Sequence, residues 1–306
     1  MSIFSDLNIP ILEHTPMSHY TFTRTGGPAD FLAFPENDQE VSALIKRART
    51  AELPVTIVGN ASNMIIRDGG IEGLVILLTR IEEIERTDNL LTVSAGTPLM
   101  TVSEAACQFG LTGLEFAAGI PGSVGGAVFM NAGAYGGEVS NVITEIKVLD
   151  ELGDLHVLSG DEIRFSYRHS VVQEAPLTVV SATFALKPGE PEKIRKTMDA
   201  YNQARASKQP LDLPSCGSVF KRPTGYYTGP LIQKAGLQGK TIGGAQVSKK
   251  HAGFIVNVNQ ATATDYLNLI ALIIKTIKEK FGVTLEPEVR IIGRESSTEP
   301  EKVGRK

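Results

Sequence analysis

Five short stretches hold the residues whose types and spacing could do chemistry. Gly59-Asn60-Ala61-Ser62-Asn63 follows a β-rich run at 55–58. Small residues at a strand end let backbone N–H groups approach an anion, and Ser and Asn add donors. A plain polar turn has the same composition. The second stretch is Gly119-Ile120-Pro121-Gly122-Ser123-Val124-Gly125-Gly126-Ala127, with Asn131-Ala132-Gly133-Ala134-Tyr135-Gly136 close behind. Glycine lets backbone come near a bulky ligand and permits positive φ. Successive amides could cradle a diphosphate there. The competing reading is a tightly packed small-residue turn in a core. The spacing matches neither a G-x-G-x-x-G fingerprint nor a P-loop. Gly239-Lys240-Thr241 imitates a P-loop end, but Lys234 stands where its first glycine belongs.

The third stretch, Ser215-Cys216-Gly217-Ser218-Val219-Phe220-Lys221-Arg222, sets a serine beside glycine. A catalytic hydroxyl and a simple Ser turn both fit. No G-x-S-x-G elbow surrounds it, which removes the usual hydrolase logic. Cys216 has no base beside it and reads as a small filler. The fourth and fifth are Phe165-Ser166-Tyr167-Arg168-His169-Ser170 and Leu285-Glu286-Pro287-Glu288-Val289-Arg290. Strand alternation would point Arg168 away from Tyr167. Edge-strand charges facing solvent are the plainer reading of both. The five histidines lack H-E-x-x-H or similar spacing, so no metal site is expected. Lys249-Lys250-His251 reads as a solvated basic face.

These stretches must be positioned by ordered elements. Residues 35–53 read as an amphipathic helix with Asn37 as cap and Val41, Leu44, Ile45 and Ala48 at helical spacing. Strands are expected at 55–58, 64–66, 74–78 and 90–95. A second helix should start at Thr97 as cap, with Pro98 at its first position, burying Leu99, Val102, Ala106 and Phe109. More strands are expected at 142–149, 155–158, 177–186, 242–247, 254–258 and 285–292. The run 187–191 punctuates the chain before a helix with Ile194, Met198 and Tyr201 inward. Residues 207–217 read as irregular. Thr264 should cap the longest helix, 264–281, which Gly282 ends. The polar tail after Gly293 reads as loose. Strands and helices are mixed rather than alternating, which favours an α+β two-domain enzyme.

Composition agrees with that architecture. The chain has 306 residues, 42% hydrophobic and 21% charged, which excludes a disordered or collagen-like protein. Glycine numbers 30, above the average of about 7%, and eight of these lie between 113 and 137. The net charge of −4 gives no support to a nucleic-acid binder. Two distant cysteines make neither a disulfide framework nor a thiolate metal site. No apolar run is long enough to span a bilayer, and the first residues lack a signal-peptide pattern. A cytoplasmic protein is expected, with no nucleic-acid, membrane or obligatory protein partner.

Taken together and in order, the motifs resemble the UDP-N-acetylenolpyruvoylglucosamine reductase family (UDP-N-acetylmuramate dehydrogenases), flavoenzymes of peptidoglycan precursor synthesis. The resemblance runs from about Tyr20 to Gly293. It rests on Thr21-Phe22-Thr23-Arg24-Thr25-Gly26-Gly27-Pro28-Ala29 and the two glycine-rich stretches. It rests also on Tyr167-Arg168-His169-Ser170, Cys216-Gly217-Ser218-Val219-Phe220, Gly243-Gly244-Ala245, His251-Ala252-Gly253-Phe254 and Glu286-Pro287-Glu288-Val289-Arg290. It implies an FAD-binding fold of the vanillyl-alcohol oxidase type in two subdomains, 1–85 and 86–200. A C-terminal α/β substrate-binding domain, 201–306, follows. The short passage from His169 to the strand at 177 resembles the subclass without a tyrosine-bearing insertion.

By this resemblance Gly59, Asn60, Ala61, Ser62 and Asn63 cradle the FAD diphosphate. So do Gly119, Ile120, Pro121, Gly122, Ser123, Gly125, Gly126 and Ala127. Arg205 would approach the isoalloxazine, and Lys208 the substrate diphosphate. Arg222, where other members carry asparagine, would lie near that diphosphate. The implied reaction reduces UDP-N-acetylglucosamine enolpyruvate with NADPH through FAD. Hydride adds to the terminal carbon of the enolpyruvyl double bond, and charge develops on its carboxylate. Arg168 would stabilise that charge. Ser218 would protonate the adjacent carbon, and Glu288 would act with Arg168, by polarising the intermediate or, when protonated, as a donor. Two other readings keep the fold: an FAD-dependent oxidase of a small alcohol, and a non-catalytic nucleotide binder. Arg168, Ser218 and Glu288 speak against both.

Overall fold

The computed structural model describes residues 3–296. The expected loose tail lies outside them from position 297 onward, as do Met1 and Ser2. The chain divides into two compact units. The first comprises Met1–Leu12, Leu32–Asn60 and Leu74–Lys208; the second comprises Glu13–Phe31, Ala61–Gly73 and Gln209–Lys306.

In the first unit, helix α1 spans Asp38–Thr50. Asn37 caps it by accepting from the Glu40 amide, and Val41, Leu44, Ile45 and Ala48 are buried. The strand Val55–Val58 pairs in parallel with the chain from Leu74 to Leu77. Helix α2 runs Leu99–Gln108, starting one residue later than expected, with Pro98 rather than Thr97 at the cap position. The Thr97 hydroxyl instead bonds the Glu83 amide at 3.2 Å, so it is not free to cap. Phe109, expected inside, is 39% exposed and lies under the Arg86 guanidinium. Helix α3 spans Val124–Met130 and packs on the strand Thr178–Ala185. That strand is the centre of a five-stranded antiparallel sheet with Leu155–Ser159, Ile143–Leu149, Leu90–Ser94 and Ile84–Thr87. Helix α4, Pro191–Lys208, buries Ile194 and Met198. Tyr201 is only half-buried.

The second unit is built on helix α6, Ala263–Phe281; helix α5, Thr228–Lys234, precedes it. Tyr266, Leu269, Ile270, Ile273 and Ile277 form the buried stripe of α6, and Gly282 ends it at φ +69°. The cap is Thr262, in a reciprocal pair with Asp265, not Thr264. Thr264 turns its hydroxyl to Asp68 at 2.6 Å. The strand expected at 242–247 is two strands, Thr241–Ile242 and Ala245–Val247. Gly243, at φ +51°, turns the chain between them. They continue the sheet through Phe254–Asn257 to Ser215–Ser218, which overlaps the end of the run 207–217 read as irregular. Of 285–292, only Arg290–Ile292 is a strand, parallel to Met64–Ile66.

No described helix is long and apolar enough to cross a membrane. Among the described residues no cluster of His, Cys, Asp and Glu could hold a metal ion.

Candidate active site

In the first unit the two glycine-rich stretches meet. A side chain at Gly59 would collide with Ser123 Oγ. Asn60 Nδ2 donates to the Pro121 carbonyl at 2.6 Å. Ser123 caps α3, its Oγ accepting from the Gly126 amide at 3.3 Å. The amides here divide into two sets. Those of Ile120, Gly125, Gly126 and Ala127 are bonded to Ala117, Ala95 and Ser123, and Pro121 has none. Those of Asn60, Gly119, Gly122 and Ser123 donate to no acceptor among the described residues. Small residues at 125–127 therefore serve close packing: a Cβ at Gly125 would lie 3.1 Å from that of Ala95. Unclaimed amides on neighbouring loops can bind an anion.

Gly119 also admits the last turn of α4. A Cβ there would stand 2.9 Å from both Arg205 Cδ and Asn202 Oδ1. Arg205 is half-buried and has no hydrogen-bond or ion-pair partner among the described residues. Desolvation pulls its pKa below the usual guanidinium range. An uncompensated, partly desolvated cation calls for an anion or an electron-rich ring. Lys208, one turn on, closes α4 and is exposed.

Arg168 does not sit on a strand. It stands with Tyr167 at the tip of a tight turn closed by Ser166 and His169, and its φ is +57°. The expected alternation with Tyr167 therefore fails: the guanidinium lies 5.1 Å from the Tyr167 ring centroid. Its Nη1 and Nη2 donate to the carbonyls of Asn131 and Gly133 at 3.4 and 3.1 Å. The buried Asn131 side chain ties this turn down, donating to Ser166 O and accepting from the Ser140 amide. Nothing in the sequence motif distinguished Asn131 from its neighbours except its fit to the left-handed cap position of α3.

In the second unit the backbone brings Ser218 and Glu288 onto adjoining segments. Ser218 pairs with Phe254, and the next residue, Val219, donates to Gly253 O at 3.0 Å. The Val219 carbonyl accepts from both Glu288 and Val289 amides, at 2.8 and 3.3 Å. Val219 and Phe220 are buried and anchor the segment. The Ser218 side chain is exposed, and its hydroxyl makes no hydrogen bond among the described residues. Asn63 joins this group, its Nδ2 donating to Glu288 O at 3.2 Å. Ala61, at φ +44°, and Ser62 precede it; the amides of all three are unclaimed among the described residues.

Beside Ser218 stands His251, which the sequence offers as part of a basic cluster and of the motif His251-Ala252-Gly253-Phe254, without a role of its own. A Cβ at Gly253 would lie 3.0 Å from His251 Cε1 and 3.6 Å from Ser218 Oγ. The ring is edge-on to Phe254, and its Nδ1 accepts from the Gly253 amide. Burial lowers its pKa. Arg222 Nε donates to Tyr226 O, and its guanidinium lies 3.9 Å from the Tyr227 ring centroid. Cys216 is buried, and desolvation pushes its thiol up to about 12, the property of a filler rather than a nucleophile.

Residues 29–159 match the family model "FAD binding domain", and 209–292 match "UDP-N-acetylenolpyruvoylglucosamine reductase, C-terminal domain". The chain is 59% identical over 289 residues to the UDP-N-acetylenolpyruvoylglucosamine reductase of Lactobacillus gasseri, covering 94% of this chain and 95% of that one. Its identity to the Pediococcus pentosaceus enzyme of the same name is 58%, over 94% and 96%. The crystal structure of the Thermus caldophilus reductase matches with a TM-score of 0.78 at 33% identity, over 93% and 98% of the two chains. The expected α+β plan, an FAD-binding fold followed by a C-terminal domain, holds. The chain belongs to the UDP-N-acetylenolpyruvoylglucosamine reductase family.

Proposed function

We propose that this protein uses FAD and NADPH to reduce UDP-N-acetylglucosamine enolpyruvate to UDP-N-acetylmuramate for peptidoglycan synthesis. The residues present fit the flavin. Gly59 and Gly119 let Ser123 and Arg205 approach the two loops closely, and the unclaimed amides of Gly119, Gly122, Ser123, Asn60, Ala61, Ser62 and Asn63 suit a diphosphate. Ile120, Pro121, Gly125, Gly126 and Ala127 give those amides their backbone support. The uncompensated Arg205 suits the electron-rich edge of the flavin ring. When bound there, FAD would supply the hydride-transfer chemistry between NADPH and the enolpyruvyl group.

The chain supplies charge and a proton. Negative charge grows on the substrate carboxylate as hydride adds, and Arg168 offers a guanidinium already oriented by two carbonyls. Ser218 delivers the proton to the neighbouring carbon. A free serine hydroxyl is a weak acid, so Glu288 on the adjoining segment assists, by polarisation or by donating when protonated. Lys208 and Arg222 contact the substrate diphosphate. The FAD-binding part comprises subdomains at 1–85 and 86–200, and residues 201–306 hold the substrate. The reaction takes place in the cytoplasm, where both cysteines stay reduced, and needs no protein partner.

The observation that carries the chemical assignment is the exposed Ser218 hydroxyl, which makes no hydrogen bond among the described residues, on a segment whose next residue, Val219, bonds the Glu288 backbone. The test is the visible spectrum of the purified protein. It should be yellow, bleach on adding NADPH, and recover on adding the enolpyruvyl nucleotide sugar. Ser218→Ala should bleach normally yet recover about a hundredfold more slowly or less. Normal recovery removes Ser218 from its role; a colourless protein that takes up no FAD removes the whole reading.

A further inference from the structure

One feature of the glycine-rich region serves neither the diphosphate nor the turn that carries it. Two short strands, Gly133–Ala134 and Gly137–Glu138, form a hairpin with Ala134 opposite Gly137. Tyr135 and Gly136 are its two-residue loop, with φ of +52° and +86°. Positive φ at both loop positions is the requirement of a type I′ turn, which favours Asn-Gly. An aromatic residue in the left-handed region is an outlier. Tyrosine is therefore kept here for its side chain, against the preference of its backbone.

That side chain reaches α4. The Tyr135 ring stacks on Tyr201 at 4.3 Å and 2°, and its hydroxyl donates to the Tyr201 carbonyl at 2.9 Å. Within α4, the same carbonyl is the i−4 acceptor for the Arg205 amide. Tyr135 thus grips the peptide group from which the last helical turn hangs. Last turns fray when nothing holds them. Arg205 has no ion pair to fix it among the described residues, so its direction depends on that turn. The root of the same hairpin supplies Gly133 O, which holds Arg168. The hairpin is itself immobilised: a Cβ at Gly137 would stand 2.7 Å from the Phe116 ring, and one at Gly133 would stand 2.7 Å from Gly137 O.

We propose that the hairpin Gly133–Glu138 is a brace between the two arginines, and that Tyr135 is the positioning residue that aims Arg205 at the flavin. This rests on the reading of Arg205 as a flavin contact given above. Tyr135 acts through Arg205 and touches no reacting atom.

Three variants of the full chain test it: Tyr135→Phe keeps the stack and loses the hydroxyl, Tyr135→Asn gives the turn its preferred residue and loses both, and Arg205→Met removes the cation. The readings are the FAD dissociation constant of the apoprotein, the absorption maxima of bound flavin, and the thermal midpoint of the apoprotein. Tyr135→Phe should weaken FAD binding by about tenfold. Tyr135→Asn should weaken it further while its thermal midpoint stays level or rises, which a merely structural tyrosine would not allow. Arg205→Met should shift the flavin maxima as the Tyr135 variants do. The double variant Tyr135→Phe/Arg205→Met should bind FAD no worse than Arg205→Met alone. Additive losses in the double variant, or wild-type FAD affinity in both Tyr135 variants while Arg205→Met loses it, overturn the brace. Unchanged FAD binding and maxima in Arg205→Met overturn the flavin contact, and the brace with it.

Discussion

At the scale of single residues, burial decides which reactive groups are available. Cys107 and Cys216 are both free thiols, and both are buried. A thiol pushed up to about 12 has almost no thiolate at neutral pH. The native protein should therefore leave Cys216 unmodified by a disulfide reagent at about pH 8, and react on unfolding. Rapid release of the reagent's chromophore from native protein, mapped to Cys216, would contradict this. His251 gives the opposite kind of effect. Its folded pKa is depressed below the ordinary 6.5 by desolvation, so the unfolded chain binds the proton more readily. Its neutral form suits folding at higher pH, and stability falls as pH drops below about 6.5 towards the lowered value. His251→Asn keeps an acceptor near the Gly253 amide and cannot titrate. Its thermal midpoint should fall less than that of the wild type as pH is lowered from about 7.5 to 5.5. Equal slopes would remove His251 from the pH dependence.

At the scale of elements, the start of α6 shows why side-chain capping matters more than pattern. Thr262 and Asp265 bond each other's amides. Asp68 then accepts from the Ala263 and Thr264 amides at 2.9 and 2.8 Å, satisfying donors the helix cannot. Asp68 lies almost two hundred residues away in sequence, so no local pattern announces it. Asp68→Ala leaves two helix amides without their acceptor and should cost about 1–2 kcal/mol. That is a drop of several degrees in thermal midpoint, larger than the drop for Thr264→Ala, which loses one bond to the same carboxylate. If the two drops are equal, the caps are not where the geometry places them. The same contrast explains what was legible beforehand. The apolar stripes of α1 and α6 could be read because burial on one face imposes a period, and the strand Val55–Val58 because all four of its residues are β-branched. The cap threonines could not, because Thr97 and Thr264 were already committed to Glu83 and Asp68. Arg168 was legible by type but not by setting, since a two-residue turn leaves no period to detect. Tyr135 was hidden for a related reason: its backbone breaks the preference that would have marked the turn.

At the scale of the whole molecule, the second unit is discontinuous, and that too is invisible to a reading along the chain. Residues 209–296 supply most of its core, yet they do not supply all of it. Ile65 is fully buried within the same cluster as Val219, Tyr266 and Ile273. Met64–Ile66 is the pairing partner of Arg290–Ile292. The Thr23 carbonyl accepts from the buried Asn257 side chain at 3.0 Å, and Asp68 caps α6. Each of these comes from 13–31 or 61–73. A fragment 209–306 would therefore expose a strand edge, leave a core gap in place of Ile65, and strand helix and side-chain hydrogen-bonding groups without partners. A core gap of this kind alone costs about 2–5 kcal/mol, a large share of a small domain's stability. The fragment should show no cooperative thermal transition and poorly dispersed amide resonances. Joining 13–31 and 61–73 to it through short flexible linkers should restore both. A sharp melt from 209–306 alone would mean that the two inserted stretches decorate the unit rather than complete its core.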